Sequence, residues 1–267
     1  MTRCLAMALA ALLMVPWVAA AQTAETPVIS IIVDDLGYQH EGGQRVVALP
    51  GPVACSVLPH TPYAQRVAVA AHRSGKEVLL HLPMQAMNDK DPGFGALTID
   101  TGERELRRLL YANLDAVPHV VGVNNHMGSL LTRHPGHMAW LMQSLRQDPR
   151  ELFFIDSVTS PQSVAYRLAR ENDVPSARRD LFLDRDPDPQ AIAAQFDRLI
   201  ALALARGSAV AIGHPYPGTL DVLERELPRL EARGVRLVSV AEFIRRNATE
   251  SSPWHVSLSP SPRGSKN

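Results

Sequence analysis

The chain has 267 residues, 46% of them hydrophobic, and its 27 Lys and Arg balance 27 Asp and Glu. A neutral chain without a basic stripe gives no reason to expect nucleic acid as a partner. Its two cysteines, Cys4 and Cys55, supply no disulfide framework.

Residues 1–21 (MTRCLAMALAALLMVPWVAAA) open with one Arg, run through about 17 apolar residues and end on Ala19-Ala20-Ala21. That order reads as a secretory signal peptide cleaved after Ala21. The alternative is an uncleaved anchor, for which the run is short against the ~20 residues of a membrane span. No later stretch is as long and apolar. The mature chain is therefore expected to be soluble, without a transmembrane span, and secreted or periplasmic. Losing Arg3 leaves 26 basic against 27 acidic side chains. Cys55 then stands alone, so no intramolecular disulfide can form, and VACSVLP marks it as a small core residue. Residues 22–27 read as a flexible lead-in, 28–246 as one α/β-sized domain, and 247–267, rich in Ser and Pro, as a disordered tail.

Within 28–246, short apolar runs alternate with longer amphipathic ones. Strands are predicted at 28–34, 53–58, 77–81, 120–125, 152–156, 174–178, 208–213 and 235–239. Each is a continuous apolar run, as expected when both faces are buried. Helices are predicted at 63–74, 103–115, 134–147, 161–172, 188–206, 217–233 and 240–246, with Gly75, Gly207 and Gly234 as stops. Seven or eight βα units in one domain predict a distorted parallel (β/α) barrel of about seven strands. An open doubly wound sheet is the alternative, but neither GxGxxG nor GxxxxGK[ST] follows a strand.

In both architectures reactive side chains gather at the C-terminal ends of strands. That rule brings together Asp34-Asp35, His81, Asn124-Asn125-His126, Asp156 and His214. One carboxylate and two imidazoles suit a divalent metal such as Zn²⁺, which would lower the pKa of a water in an open position. Neighbouring residues on a strand point to opposite sides, so Asp34 and Asp35 share a site only if the chain is already turning there, which Gly37 would allow. One carboxylate would then bind metal and the other take a proton. His60 follows the second strand and could line the mouth. His119 begins a strand and is expected on the opposite face as a structural residue. His40, His72, His134, His137 and His255 are expected to be solvated.

The segments VDDLGY, LLHLPMQ, NNHMGS, FFIDSVTS and AIGHPYP, in this order, resemble the divergent polysaccharide deacetylase family, related to metal-dependent carbohydrate deacetylases. The resemblance spans about residues 28–246 and implies a distorted (β/α) barrel. It also implies Asp34 as general base, Asp35 and His81 as metal ligands, and His214, in Ile212-Gly213-His214, as general acid. Ordinary members take a second histidine four residues after the first. Gln85 stands there in this chain, and His126 is the expected replacement. The usual Arg-Pro-Pro-Tyr segment is absent, with Asn124–Gly128 in its place. The implied chemistry is removal of an acetyl group from an envelope glycan, with Asn125, Asp156, Asp184 and Tyr38 near the substrate and Tyr63 and Tyr216 as further aromatic platforms. Asp156 is also a candidate to orient a histidine. Two other classes remain open: a metal-independent glycoside hydrolase pairing Asp34 with Asp156 or Asp184, and a non-catalytic envelope protein that binds a glycan or partner through the same cleft.

Overall fold

A computed structural model describes residues 25–88 and 90–250. The expected signal peptide, the start of the lead-in and residues 251–267 lie outside these residues. Among the described residues one sheet holds β1 (Val28–Leu36), β2 (Ala54–Val57), β3 (Val78–Met84), β4 (Val120–Met127), β5 (Phe153–Asp156), β6 (Ser176–Arg178), β7 (Leu181–Phe182), β8 (Ser208–Gly213) and β9 (Arg236–Leu237). Helices α1 (His40–Ala48), α2 (Ala64–Arg73), α3 (Glu103–Ala116), α4 (Pro135–Arg146), α5 (Ala165–Glu171), α6 (Pro189–Arg206), α7 (Pro217–Glu226) and α8 (Val240–Glu250) accompany it. None of these helices is long and apolar enough to cross a membrane.

The strand order is β6-β5-β4-β3-β2-β1-β8-β7, with every pairing parallel and β9 beside the start of β1. β6 and β7 are consecutive yet have different neighbours. The Arg179 N–H still donates to Asp156 O (3.0 Å), whereas that of Asp180 donates to Val210 O (2.9 Å). The chain thus leaves β5 and joins β8 between two adjacent residues. This step closes the curled sheet into a distorted barrel of seven strands, β6 and β7 acting as one interrupted strand.

The strands alternate between two cores. Ile29, Ile31 and Val33 face outward with Cys55, Leu80 and the inner sides of α1–α7. Val28, Ile32, Ala54, Leu79, Ile155, Val210 and Ile212 face inward. Helix α8 lies under this inner layer, adding Val240, Phe243 and Ile244. Both carboxylate oxygens of Glu77, just before β3, accept from the first N–H groups of α8 (Val240 2.7 Å, Ala241 3.1 Å). A carboxylate at a helix N-terminus satisfies free donors and opposes the macrodipole.

Several element predictions need correction. Helix α1 falls where none was expected, because Gly42-Gly43 discourages a helix. The structure uses both glycines for close approach: a Cβ on Gly43 would lie 2.8 Å from Val67 Cγ2, and one on Gly42 3.3 Å from Pro215 Cβ. The helix predicted over 217–233 ends at Glu226 and continues as two 3₁₀ turns, since Pro228 lacks the N–H an α-helix needs there. Helix α8 runs to Glu250, past the expected domain end at 246, and the Asn247 side chain is tied to Ser208 Oγ (2.8 Å) and Phe243 O (2.9 Å).

Candidate metal centre and its histidine–aspartate pair

Two residues further along each inward-facing set, the character changes. Ile32 is followed on its face by Asp34, Ala54 by Ser56, Leu79 by His81, Gly122 by Asn124 and then His126, and Ile212 by His214. The apolar layer is a floor, and this polar layer is the mouth.

β1 ends in a bulge. Val33 pairs with Cys55 but Leu36 with Val57, so one extra residue is inserted between them. Asp35 takes it up with a left-handed φ of 58°, and Asp34 and Asp35 thereby reach the same site. The turn comes two residues before Gly37, where it was expected.

Asp35 Oδ1, His126 Nδ1 and His81 Nε2 form a small triangle. Its edges are 3.0 Å (Asp35–His126), 3.2 Å (Asp35–His81) and 3.1 Å (His126–His81). Metal–ligand bonds of roughly 2.0–2.2 Å place adjacent ligands on the order of 3.0–3.4 Å apart, so the triangle fits the face of a coordination polyhedron. Asp35 Oδ1 is buried without a hydrogen bond of acceptable geometry despite those neighbours. An orphaned oxygen facing two imidazole nitrogens is the donor set a divalent cation satisfies. This trio is also the group of His, Cys, Asp or Glu side chains among the described residues whose donor atoms come together closely enough for a metal, all within 4.8 Å. Burial alone would raise the Asp35 carboxyl, but His126 and His81 outweigh it and hold it well below the usual carboxylate range.

The Asn124 side chain orders this group. Its Oδ1 accepts from Ser56 Oγ (2.7 Å), so the 3.0 Å contact with His81 Nδ1 requires the imidazole to donate. Nδ1 therefore carries a proton, and Nε2 is the nitrogen turned toward the triangle. The Asn124 amide nitrogen donates to Asp34 Oδ1 (2.8 Å). Asp34 is buried, 3.7 Å from His81 Nε2 through Oδ2, and outside the triangle.

His214 stands across from them, Nε2 3.9 Å from Asp35 Oδ2. Its Nδ1 donates to Asp184 Oδ1 (2.9 Å), while Asp184 Oδ2 accepts from the His214 N–H (2.6 Å) and Thr219 Oγ1 (2.8 Å). Burial opposes the imidazolium, but Asp184, with the charges of Asp34 and Asp35, pushes His214 up to about 9. Its Nε2 faces the metal candidates.

Asp34, Asp35, His81, His126 and His214 therefore come together, and the other expected site residues do not share that role. Asp184 is buried and holds His214. Asn125 is buried with its amide committed to Ser157 N (2.9 Å) and Met127 O (2.7 Å). Asp156 is buried, accepting from Val158 N, Ser163 Oγ and Tyr166 N, so it anchors the start of α5 and orients no histidine. Gln85 Oε1 accepts from Ile99 N, turned into its own loop. Tyr38 and Tyr216 are exposed at the rim and share a 180 Å³ pocket with Asp35. His60 takes up a left-handed φ of 59° and meets Asn113 Oδ1 (3.0 Å). His119 is stacked on His72 at 3.9 Å. His137, expected in solvent, is buried, its Nε2 3.0 Å from Thr101 O. Ser56 and Thr219 were not singled out as site residues, and Asn124 was placed at its strand end without a role. Two-residue alternation would have put Asn124 on the face of His126.

Solved structures share this barrel. An uncharacterized protein, ATU2773, from Agrobacterium tumefaciens C58 aligns with a TM-score of 0.78 at 22% identity, covering 85% of this chain and 92% of its own. Wild-type BA3943 from Bacillus anthracis, described as a CE4 family pseudoenzyme, aligns with a TM-score of 0.51 at 12% identity, covering 83% and 66%. The fold is accordingly that of the deacetylase-type barrels. The family itself follows from sequence. The model for divergent polysaccharide deacetylases matches residues 31–244, and the chain belongs to that family. Similar proteins are the uncharacterized protein YibQ of Escherichia coli K12, 35% identical over 224 residues (84% of this chain, 69% of the relative), and an uncharacterized protein of Haemophilus influenzae, 33% identical over 217 residues (81% and 76%).

Proposed function

We propose that this protein is a metal-dependent hydrolase that removes acetyl groups from a glycan outside the cytoplasm, with Zn²⁺ held by Asp35, His81 and His126. The observation that carries the reading is the orphaned Asp35 Oδ1 inside a 3.0–3.2 Å triangle with two imidazole nitrogens. A bound divalent cation would supply Lewis acidity toward an acetyl carbonyl and a water of lowered pKa. Asp34, kept out of the triangle and fixed by Asn124, accepts the proton of the attacking water. His214, protonated on Nε2 and held by Asp184, gives a proton to the departing sugar nitrogen or oxygen. Tyr38 and Tyr216 offer ring faces to the sugar at the rim.

A metal-independent glycoside hydrolase loses its second carboxylate, because Asp156 and Asp184 are both buried and fully engaged. Location outside the cytoplasm rests on the leader pattern of residues 1–21.

The test is acetate release from N-acetylated chito-oligosaccharides and from O-acetylated glycans by purified protein, after chelation and after reloading with Zn²⁺. We expect release to vanish on chelation, return on reloading and be absent in Asp35→Asn, which also binds less metal. Full release from metal-free protein overturns the reading. Absence of release from every substrate by protein shown to hold metal leaves the cleft a binding site.

A further inference from the structure

Elsewhere in the barrel a helix covers the step from one strand to the next, but β6 passes to β7 through Arg179-Asp180 alone. A gap lies beside this seam. The gap is a 260 Å³ cleft between the seam and α6, lined by Arg179, Arg185 and Arg198, with Phe182, Asp180 and Asp186.

The charges in this cleft do not balance locally. Arg179 is buried, and its guanidinium donates to backbone oxygens: Nε to Ser157 O (2.7 Å) and Nη2 to Val158 O (2.8 Å). These bonds use two of its five N–H groups. Among the described residues, Arg179, Arg185 and Arg198 make no ion pair with a carboxylate. The two acids are already occupied. Asp180 accepts from Val210 N (2.8 Å) and faces Arg206 (3.5 Å), and Asp186 accepts from Asp188 N (3.1 Å). Burial, with Arg185 next in effect, pushes Arg179 down to about 10 against the smaller opposing pull of Asp156, Asp34 and Asp180.

The cleft also borders the candidate active centre. The Arg179 guanidinium lies 3.6 Å over the Phe182 ring, and Phe182 is stacked beside His214 with 5.9 Å between centroids. His214 is the group that would protonate the departing sugar, so the glycan lies on this side. Guanidinium forks suit carboxylate and phosphate oxygens.

We propose that this seam is an anion subsite, and that the glycan processed at His214 carries a carboxylate or phosphate near its acetyl group that docks on Arg185 and Arg198 beside Arg179. This rests on the glycan-hydrolase reading above, but binding can be tested without turnover. The probes are a hyaluronan tetrasaccharide, which is N-acetylated and acidic, and chitotetraose, which is N-acetylated and neutral. Both are titrated calorimetrically into chelated full-length protein, wild type and R185Q/R198Q, with inorganic phosphate as competitor.

The acidic tetramer should bind about tenfold more tightly than the neutral one, as one charge-assisted contact allows. Phosphate and added salt should remove that advantage. R185Q/R198Q, which alters two exposed side chains, should abolish it and leave chitotetraose binding unchanged. Equal affinities, no binding of either tetramer, or an advantage that survives R185Q/R198Q overturns the proposal. Phosphate binding at the arginines with no preference for the acidic tetramer also overturns it, making the cleft a free-phosphate site. Acetate release from both tetramers without preference would sink the subsite and leave the hydrolase standing. An acid preference in protein that releases no acetate would do the reverse.

Discussion

Asn124 has the widest reach of any single side chain in the site. One oxygen fixes the tautomer of a metal-ligand candidate, and one nitrogen holds the proposed base. Asn124→Ala removes the acceptor for His81 Nδ1 and the donor to Asp34 Oδ1, both of them buried. Loss of such an outer contact costs roughly 10–100-fold in metal affinity. We expect a fall of that size for Zn²⁺ in competition with a chromophoric chelator, with circular dichroism confirming that the barrel remains folded. The residues that meet here were legible in the sequence because strand ends converge in a parallel barrel. What they do for one another was less so. Asn125 and Asp156 look as available as Asp34 on paper. Only the bonds to Ser157, Met127, Val158 and Ser163 show that their polar atoms are already used. The bulge was hidden for a similar reason: the strain falls on Asp35 itself, a residue that tolerates left-handed backbone better than most.

At the scale of elements, the pairing of β4 with β5 depends on an absent side chain. A Cβ on Gly122 would overlap the Phe153 ring on the inner face. Gly122→Ala forces that ring to move, and overpacking of this kind typically costs about 1–3 kcal/mol. Urea denaturation should show a loss in that range. Phe153→Leu should recover part of it, so that the double variant is less destabilised than the sum of the two. Continuous apolar runs revealed most strands, and glycine stops marked α6 correctly at Gly207, which caps it with a left-handed φ of 84°. Helix α1 escaped notice because Gly42-Gly43 lowers helix propensity locally while permitting the contacts with Val67 and Pro215 that stabilise it. Propensity is local, and that packing is not.

Across the whole molecule, α8 holds the interior together from below. Phe243 is 6% exposed and packs in the inner core with Ile32, Leu79 and Ile212, the residues beneath Asp34, His81 and His214. Truncating a buried Phe to Ala costs about 3–5 kcal/mol. Phe243→Ala should lower global stability by that amount, read from the urea midpoint at constant m-value. A loss under about 1 kcal/mol would mean that α8 is peripheral to the fold. The barrel class was readable from the rhythm of strands and helices. Its closure at Arg179-Asp180 was not, because a strand that changes neighbours midway looks like two short fragments.

The stopper beneath the floor has a kinetic corollary. With the lower end sealed by Val240, Phe243 and Ile244, the described residues leave the polar mouth as the entrance. Under the proposed chemistry the water consumed, the polymer admitted and the small acid set free all pass through it, beneath Tyr38 and Tyr216. Accumulated acetate should therefore compete with incoming polymer for the same threshold.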